Sequence, residues 1–238
     1  MSLAIAATEA AALQERCEVT TLRTMRGSLT YEDHAVVPAA PWTKITDEMG
    51  RSLTAPAAMI RDSALIELVK PPEPIDVLGT LTDRLGDSDA VYLGQASAPA
   101  DTFTTTGNHE NEGRRIGLHV DNWDKLPYAT KHTARRRLCL NLGPGIRYLF
   151  LGDLDIRAVC RTVHEDFAHR YPHTDDLRQF IDDGHLMLCF RLRLEPGEGY
   201  IAPTELFPHD GSTEAQPKPS TAAFWLGNWP RGVLPSLI

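Results

Sequence analysis

The chain has 238 residues and a mass of 26.4 kDa, a length that suits one large β domain or a smaller domain with additions. With 42% hydrophobic and 24% charged residues it has a globular composition, which excludes collagen, coiled coil and wholesale disorder. A net charge of −8 disfavours nucleic acid or an anionic membrane as the main partner, because both demand a cationic surface.

The Ala-rich start lacks a basic region and is interrupted by Glu9, so no secretory leader is expected. Residues 6–17 are good helix formers and predict a helix. A second, amphipathic helix is expected over 55–70, with Ile60, Leu65, Ile66 and Val69 toward a core. Pro71, Pro72 and Pro74 end it, and a short helix over 75–85 follows. From Val91 the character changes. Short apolar runs with Gly, Pro or Asp flanks predict strands at 91–95, 116–120, 138–142, 148–151, 186–194, 200–202 and 222–226. Helical spacing interrupts them at 156–171 and 175–183.

The expected architecture is therefore mostly β with flanking helices. A helical layer (1–90) packs outside a jelly-roll or cupin-like core (91–229), with a tail at 230–238, all in one domain. No apolar run approaches the roughly 20 residues of a bilayer span, so no membrane partner is expected. Cys17, Cys139, Cys160 and Cys189 form no C-x-x-C pair. They read as reduced, mostly buried thiols of a cytoplasmic protein.

The sharpest local pattern is Gly117-Leu118-His119-Val120-Asp121-Asn122-Trp123. In a strand, side chains at i and i+2 share a face about 7 Å apart, so both reach one ion only where the strand bends or ends. Far downstream (209 − 121 = 88 residues), His209 follows an apolar stretch and precedes Asp210-Gly211. Two imidazoles and one carboxylate suit Fe(II) and leave a face of its coordination sphere open.

This order of residues resembles the iron(II)/2-oxoglutarate-dependent oxygenases, whose core is a double-stranded β-helix. The likeness covers residues 91–229 and rests on His119-Val120-Asp121 and His209. It implies Fe(II) held by His119, Asp121 and His209. It also implies 2-oxoglutarate as cosubstrate and O2 as oxidant, with succinate and CO2 as coproducts of substrate hydroxylation, desaturation or cyclisation. A carboxylate at Asp121 implies hydroxylase-type chemistry, since halogenating relatives carry a small residue there. The sequence departs from the family after the distal histidine, where many members place an Arg. Here that stretch offers only Lys218. The alternatives are Arg137, which alternation puts on one face with Cys139 and Asn141, and Arg147. Arg suits the role because its planar fork binds a carboxylate bidentately. Asn122 and Trp123 are the candidate contacts to a small-molecule substrate, with an amino-acid-like biosynthetic intermediate as one candidate class.

Other readings compete. Arg135–Arg137 reads equally as a surface basic patch. A cupin-type metal enzyme without 2-oxoglutarate, or a non-enzymatic jelly-roll binding module, fits the same pattern. His164, His169 and His173 lack the zincin spacing and read as solvated helix residues. His109-Glu110 reads as a polar loop, and Gly143-Pro144-Gly145 as a turn. Phe207, Trp225 and Trp229 are expected in the core.

Overall fold

Two six-stranded sheets frame the fold. The computed structural model describes residues 3–54, 65–71, 85, 87, 89–108, 111 and 113–238. In chain order these give β1 (Ala4–Ala6), α1 (Ala10–Arg16), β2 (Cys17–Thr24), β3 (Tyr31–Lys44), α2 (Asp47–Leu53), β4 (Leu65–Val69), β5 (Val91–Ala98) and β6 (Arg115–Gly117). A 3-10 turn (Lys131–Thr133) leads to β7 (Arg136–Pro144) and β8 (Arg147–Gly152). Then come α3 (Ile156–Val163), α4 (Thr174–Asp182), β9 (Leu188–Leu194), β10 (Gly199–Ala202), β11 (His209–Ser212) and β12 (Ser220–Gly227). The first sheet runs β1-β4-β10-β7-β12-β5 and the second β11-β8-β9-β2-β3-β6.

The N-terminal third is the main correction. It was expected to be helical and contains four strands. Cys17–Thr24 alternates buried and half-buried positions, a β period of two that its Val and Thr residues suit. The helical composition before it supports only the seven residues of α1. In the expected helix over 55–70, residues 65–69 are a strand instead. All five side chains of β4 are buried, because β1 and β10 flank it and both its faces are covered. Such a strand has no alternation to show and cannot be told from a helix by pattern. Residues 55–64 and most of the expected helix over 75–85 lie outside the described residues, as does His109-Glu110.

From Val91 onward every expected strand is present, with ends shifted by a few residues. The helix expected over 156–171 stops at Val163 and is followed by a 3-10 turn at Phe167–His169. Asp155 caps α3 by accepting from Ala158 N (2.9 Å), and His173 and Asp176 form a capping box at α4.

Between the sheets, Ile66, Leu68, Tyr200 and Ala222 pack against Val19, Leu149, Leu151, Phe190 and Leu192. On the outer face of the first sheet, Leu138, Leu140, Ile201, Trp225 and Trp229 are sealed by Leu234. The C-terminal segment is thus no loose tail. Leu237 N donates to Leu68 O (2.9 Å) and Lys70 N to Pro235 O (3.1 Å), so it runs along β4. On the far face of the second sheet, Leu118, Val120, Phe150 and Cys189 pack under α3 and α4. All four cysteines are free and buried. No helix among the described residues is long and apolar enough to cross a membrane.

The two edges of the second sheet meet. Beyond β6, Leu118 bridges to Val36 and His119 bridges to His209 on β11. His119 N donates to His209 O (3.1 Å) and His209 N to His119 O (2.9 Å). A sheet curled until its edges touch is nearly a closed barrel, and the touching pair is two histidines.

Candidate metal centre

That seam brings the distant histidine to the first motif. Leu118 and Val120 point under the helices, so alternation turns His119 and Asp121 to the opposite side, toward the first sheet. After His119 the chain leaves β11, and Asp121 N bonds Thr204 O (3.0 Å) instead. This break is the strand end that the i, i+2 spacing requires. His119, Asp121 and His209 are all buried, and their ligand atoms lie within 4.8 Å of one another. Asp121 Oδ1 is 3.9 Å from His119 Nε2, and Oδ2 is 3.8 Å from His209 Nε2. Two ligands about 2.1 Å from one ion at a right angle stand about 3.0 Å apart, so side-chain shifts of under about 1 Å close the set.

The backbone prepares both rings alike. His119 Nδ1 lies 2.9 Å from Gly117 O, and His209 Nδ1 lies 3.3 Å from Phe207 O, each a carbonyl two residues upstream. A carbonyl only accepts, so each Nδ1 carries a proton and Nε2 is the nitrogen each ring turns to the centre, the arrangement metal ligation needs. His209 Nε2 is buried with no hydrogen-bond partner. Gly117 is required for its own reason. Its φ is +70°, and a Cβ there would sit 2.2 Å from Val36 O.

Electrostatics points the same way. Burial pushes the Asp121 carboxyl up, but Arg137 and the two imidazoles outweigh it and hold it at about 2. Burial drives His209 down to about 3. Asp121 resists this, while His119 and Arg137 reinforce it. Near neutral pH the group is thus one carboxylate with His209 neutral, an acceptor set suited to a divalent cation. Such a cation would satisfy His209 Nε2, and in this respect the residues fit one.

The three consecutive arginines have three different fates. Arg135 pairs with half-exposed Asp124 (2.6 Å). Arg136 points to the outer face and pairs with buried Glu67 (2.8 Å). Arg137 points inward, with Nη2 2.7 Å from Asp121 Oδ2 and its guanidinium over Phe224 (5.5 Å). They are not one surface patch. Arg147, on β8, is also buried. Its Nη2 donates to Thr105 Oγ1 (2.8 Å), it crosses over Gly211, and its Nη1 has no hydrogen-bond partner.

Two other candidates for the cosubstrate stand apart. Asn141 is buried but fully used. Its amide donates to Gly145 O (2.9 Å) and Leu194 O (3.1 Å), and its oxygen accepts from Gly143 N and Ser220 Oγ (2.9 Å each). It holds the turn after β7, with no polar atom to spare for a ligand. Lys218 is exposed in the loop before β12. Of the candidate substrate contacts, Trp123 is 56% exposed beside the centre, and Asn122 Oδ1 accepts from Lys131 (2.6 Å).

His164 and His173 are not simply solvated. His164 Nε2 lies 2.9 Å from buried Asp176, and His173 caps α4; only His169 is exposed. Among the described residues, the triad is the one cluster with the spacing for a metal ion. A cavity of about 660 Å³ lies elsewhere, between β4 and the C-terminal segment, and none of the triad lines it.

Sequence reasoning missed Lys131, Glu205, Thr105 and Asp210. Asp210 Oδ1 gathers bonds from Thr106 Oγ1 (2.8 Å), Thr106 N (3.2 Å) and Gly211 N (2.6 Å), holding the 104–106 segment against β11. Asp210-Gly211 reads locally as a turn, and only the strand pairing reveals its role. Lys131 and Glu205 carry no local signal at all. No protein-family model matches the sequence, and no curated protein matches it.

Proposed function

We propose that the His119–Asp121–His209 triad holds Fe(II) and that the protein is a mononuclear non-haem iron oxygenase acting on a small molecule, with 2-oxoglutarate as cosubstrate. The observation that carries this reading is the pair of buried imidazoles, both with Nδ1 tied to a carbonyl, facing one ionised carboxylate. When bound, the ion would supply oxygen activation with electrons from the cosubstrate.

The chain's own residues would do the rest. His119 and His209 present Nε2, and Asp121 adds the only negative charge of the set. Arg137 neutralises and orients that carboxylate through its Oδ2. This leaves Arg147 as the better partner for the distal carboxylate of 2-oxoglutarate, because its Nη1 is free and the Thr105 hydroxyl stands beside it. Trp123, exposed next to Asp121, offers an aromatic surface at the entrance.

A second reading is a cupin-type metal enzyme that does not use 2-oxoglutarate. It is favoured by the engagement of Arg137 with Asp121 and by the exposure of Lys218. Anaerobic ultraviolet–visible spectra with Fe(II) and 2-oxoglutarate test the first reading. A visible charge-transfer band that is absent from an Asp121→Ala protein is expected. If the parent binds Fe(II) but gives no such band, and no succinate is released with any of a broad substrate panel, the second reading replaces it. If Asp121→Ala binds Fe(II) as tightly as the parent, the triad itself is refuted.

A further inference from the structure

A lysine with no exposed surface lies against the loop that carries Asp121. Lys131 opens the 3-10 turn before β7, and its side chain is 0% exposed. The ammonium has three N–H donors and meets three acceptors: Asn122 Oδ1 (2.6 Å), Glu205 Oε2 (3.2 Å) and the Asp121 carbonyl (3.4 Å). Glu205, also 0% exposed, turns its other oxygen to Asp124 N (2.9 Å). The neighbouring Thr204 carbonyl takes Asp121 N (3.0 Å). One buried ion pair thus joins the 121–124 turn, just beyond His119, to the segment that enters β11 at His209.

For stability alone this is a poor arrangement. Burying an ammonium and a carboxylate carries a desolvation cost that an apolar pair of similar volume avoids. What an apolar pair cannot do is bond the Asp121 carbonyl, Asn122 and Asp124 together and so fix where the Asp121 carboxylate points. We propose that Lys131, through Glu205 and Asn122, is a positioning residue that sets the orientation of Asp121 as a metal ligand. This rests on the triad being a metal centre. Partners of this kind, one bond removed from the ligand, commonly change metal affinity by about 10–100-fold when lost.

The test uses Co(II) as the probe, because its visible bands report ligand geometry as well as binding. Three variants of the full chain are compared with the parent: Lys131→Met, Lys131→Met/Glu205→Gln and Asn122→Ala. Lys131→Met alone strands a buried carboxylate and is expected to lower the melting temperature. The double variant removes both charges and should recover much of that temperature. Its Co(II) affinity should nevertheless stay at least about 10-fold weaker than the parent's, with shifted bands. Asn122→Ala removes one anchor of the ammonium at a half-buried site. It should weaken Co(II) severalfold with a smaller loss of melting temperature than Lys131→Met, and it answers the question should the lysine variants not fold. Recovery of parental affinity and bands in the double variant overturns the proposal, as does an Asn122→Ala protein with parental affinity and bands. A parent that takes up no Co(II) overturns the metal reading, a different failure.

Discussion

The titration of His209 has a consequence for stability that can be isolated. In the fold its imidazole stays neutral down to about pH 3, whereas an ordinary imidazole protonates near 6.5. Between those values the unfolded chain binds more protons than the folded one, so acid favours unfolding there. Each pH unit below 6.5 then removes about 1.4 kcal/mol, which makes about 3 kcal/mol by pH 4.5. Asp121, held at about 2 against 3.8, acts in the same direction but only below 3.8, so it adds almost nothing at pH 4.5. The perturbation is His209→Gln, which keeps a polar side chain and removes the titration. Urea unfolding of chelator-treated protein at pH 7.5 and 4.5 gives each protein's acid loss. The parent should lose about 3 kcal/mol more than His209→Gln over that interval. Equal losses would mean that His209 titrates normally in the fold and would refute the desolvated imidazole; because an ordinary imidazole is also neutral at pH 7.5, the metal reading is tested separately.

Other outcomes follow from single contacts. Gly117→Ala puts a Cβ 2.2 Å from Val36 O at φ +70°, so it should cost about 2–4 kcal/mol and lower the melting temperature by roughly 5–15 °C; unchanged melting would refute the strain. Neighbouring arginines should differ sharply. Arg136→Met strands buried Glu67 and should cost about 3–5 kcal/mol by urea unfolding, whereas Arg135→Ala, at a part-exposed pair, should cost at most about 1; equal effects would contradict the different burial of the two pairs. Arg147→Met should weaken 2-oxoglutarate about 10-fold or more in an anaerobic charge-transfer titration while leaving Fe(II) uptake within about threefold; unchanged affinity removes Arg147 from the cosubstrate site.

The sequence made the second half of the fold more legible than the first, and the reason is physical. From Val91 on, strands are short and bounded by turn residues, so composition marks them even where both faces are covered, as in β10. In the first half, β4 is covered on both faces and has no period, and β3 carries Pro38 and Pro41 within its fourteen residues. Prolines argue against a strand locally. They are tolerated here because β3 pairs along its length only with β2, meeting β6 at one end. The triad was legible because His and Asp are residue types that can ligate metals and two of the three stand two apart in sequence. The charges around it were not. Arg137 was assigned to the correct face by alternation, but its partner Asp121 lies just beyond the edge of the other sheet, outside any strand. The Lys131–Glu205 pair joins residues 74 apart in sequence and Asp210 bonds Thr105 105 residues away, and local chemistry marks none of the three.

Charge balance at the seam links the site to the kind of ligand it favours. Asp121 and Arg137 pair directly, so the interior begins close to neutral before any cation arrives. Arg147 adds a second buried guanidinium nearby. Burial pushes the Asp210 carboxyl up while His119, the Thr106 hydroxyl and Arg147 pull it down, and its Oδ1 is taken up by the 104–106 segment. A divalent ion at the triad would leave this interior with a clear positive excess in a place shielded from water, where unbalanced charge is costly. A dianion binding between the ion and Arg147 removes that excess, whereas a neutral ligand leaves it in place. With an ion bound, this interior would therefore favour an anionic ligand within a fold that carries −8 overall, and the affinity of the metal-loaded protein for dicarboxylates over their monoamide analogues measures that preference directly.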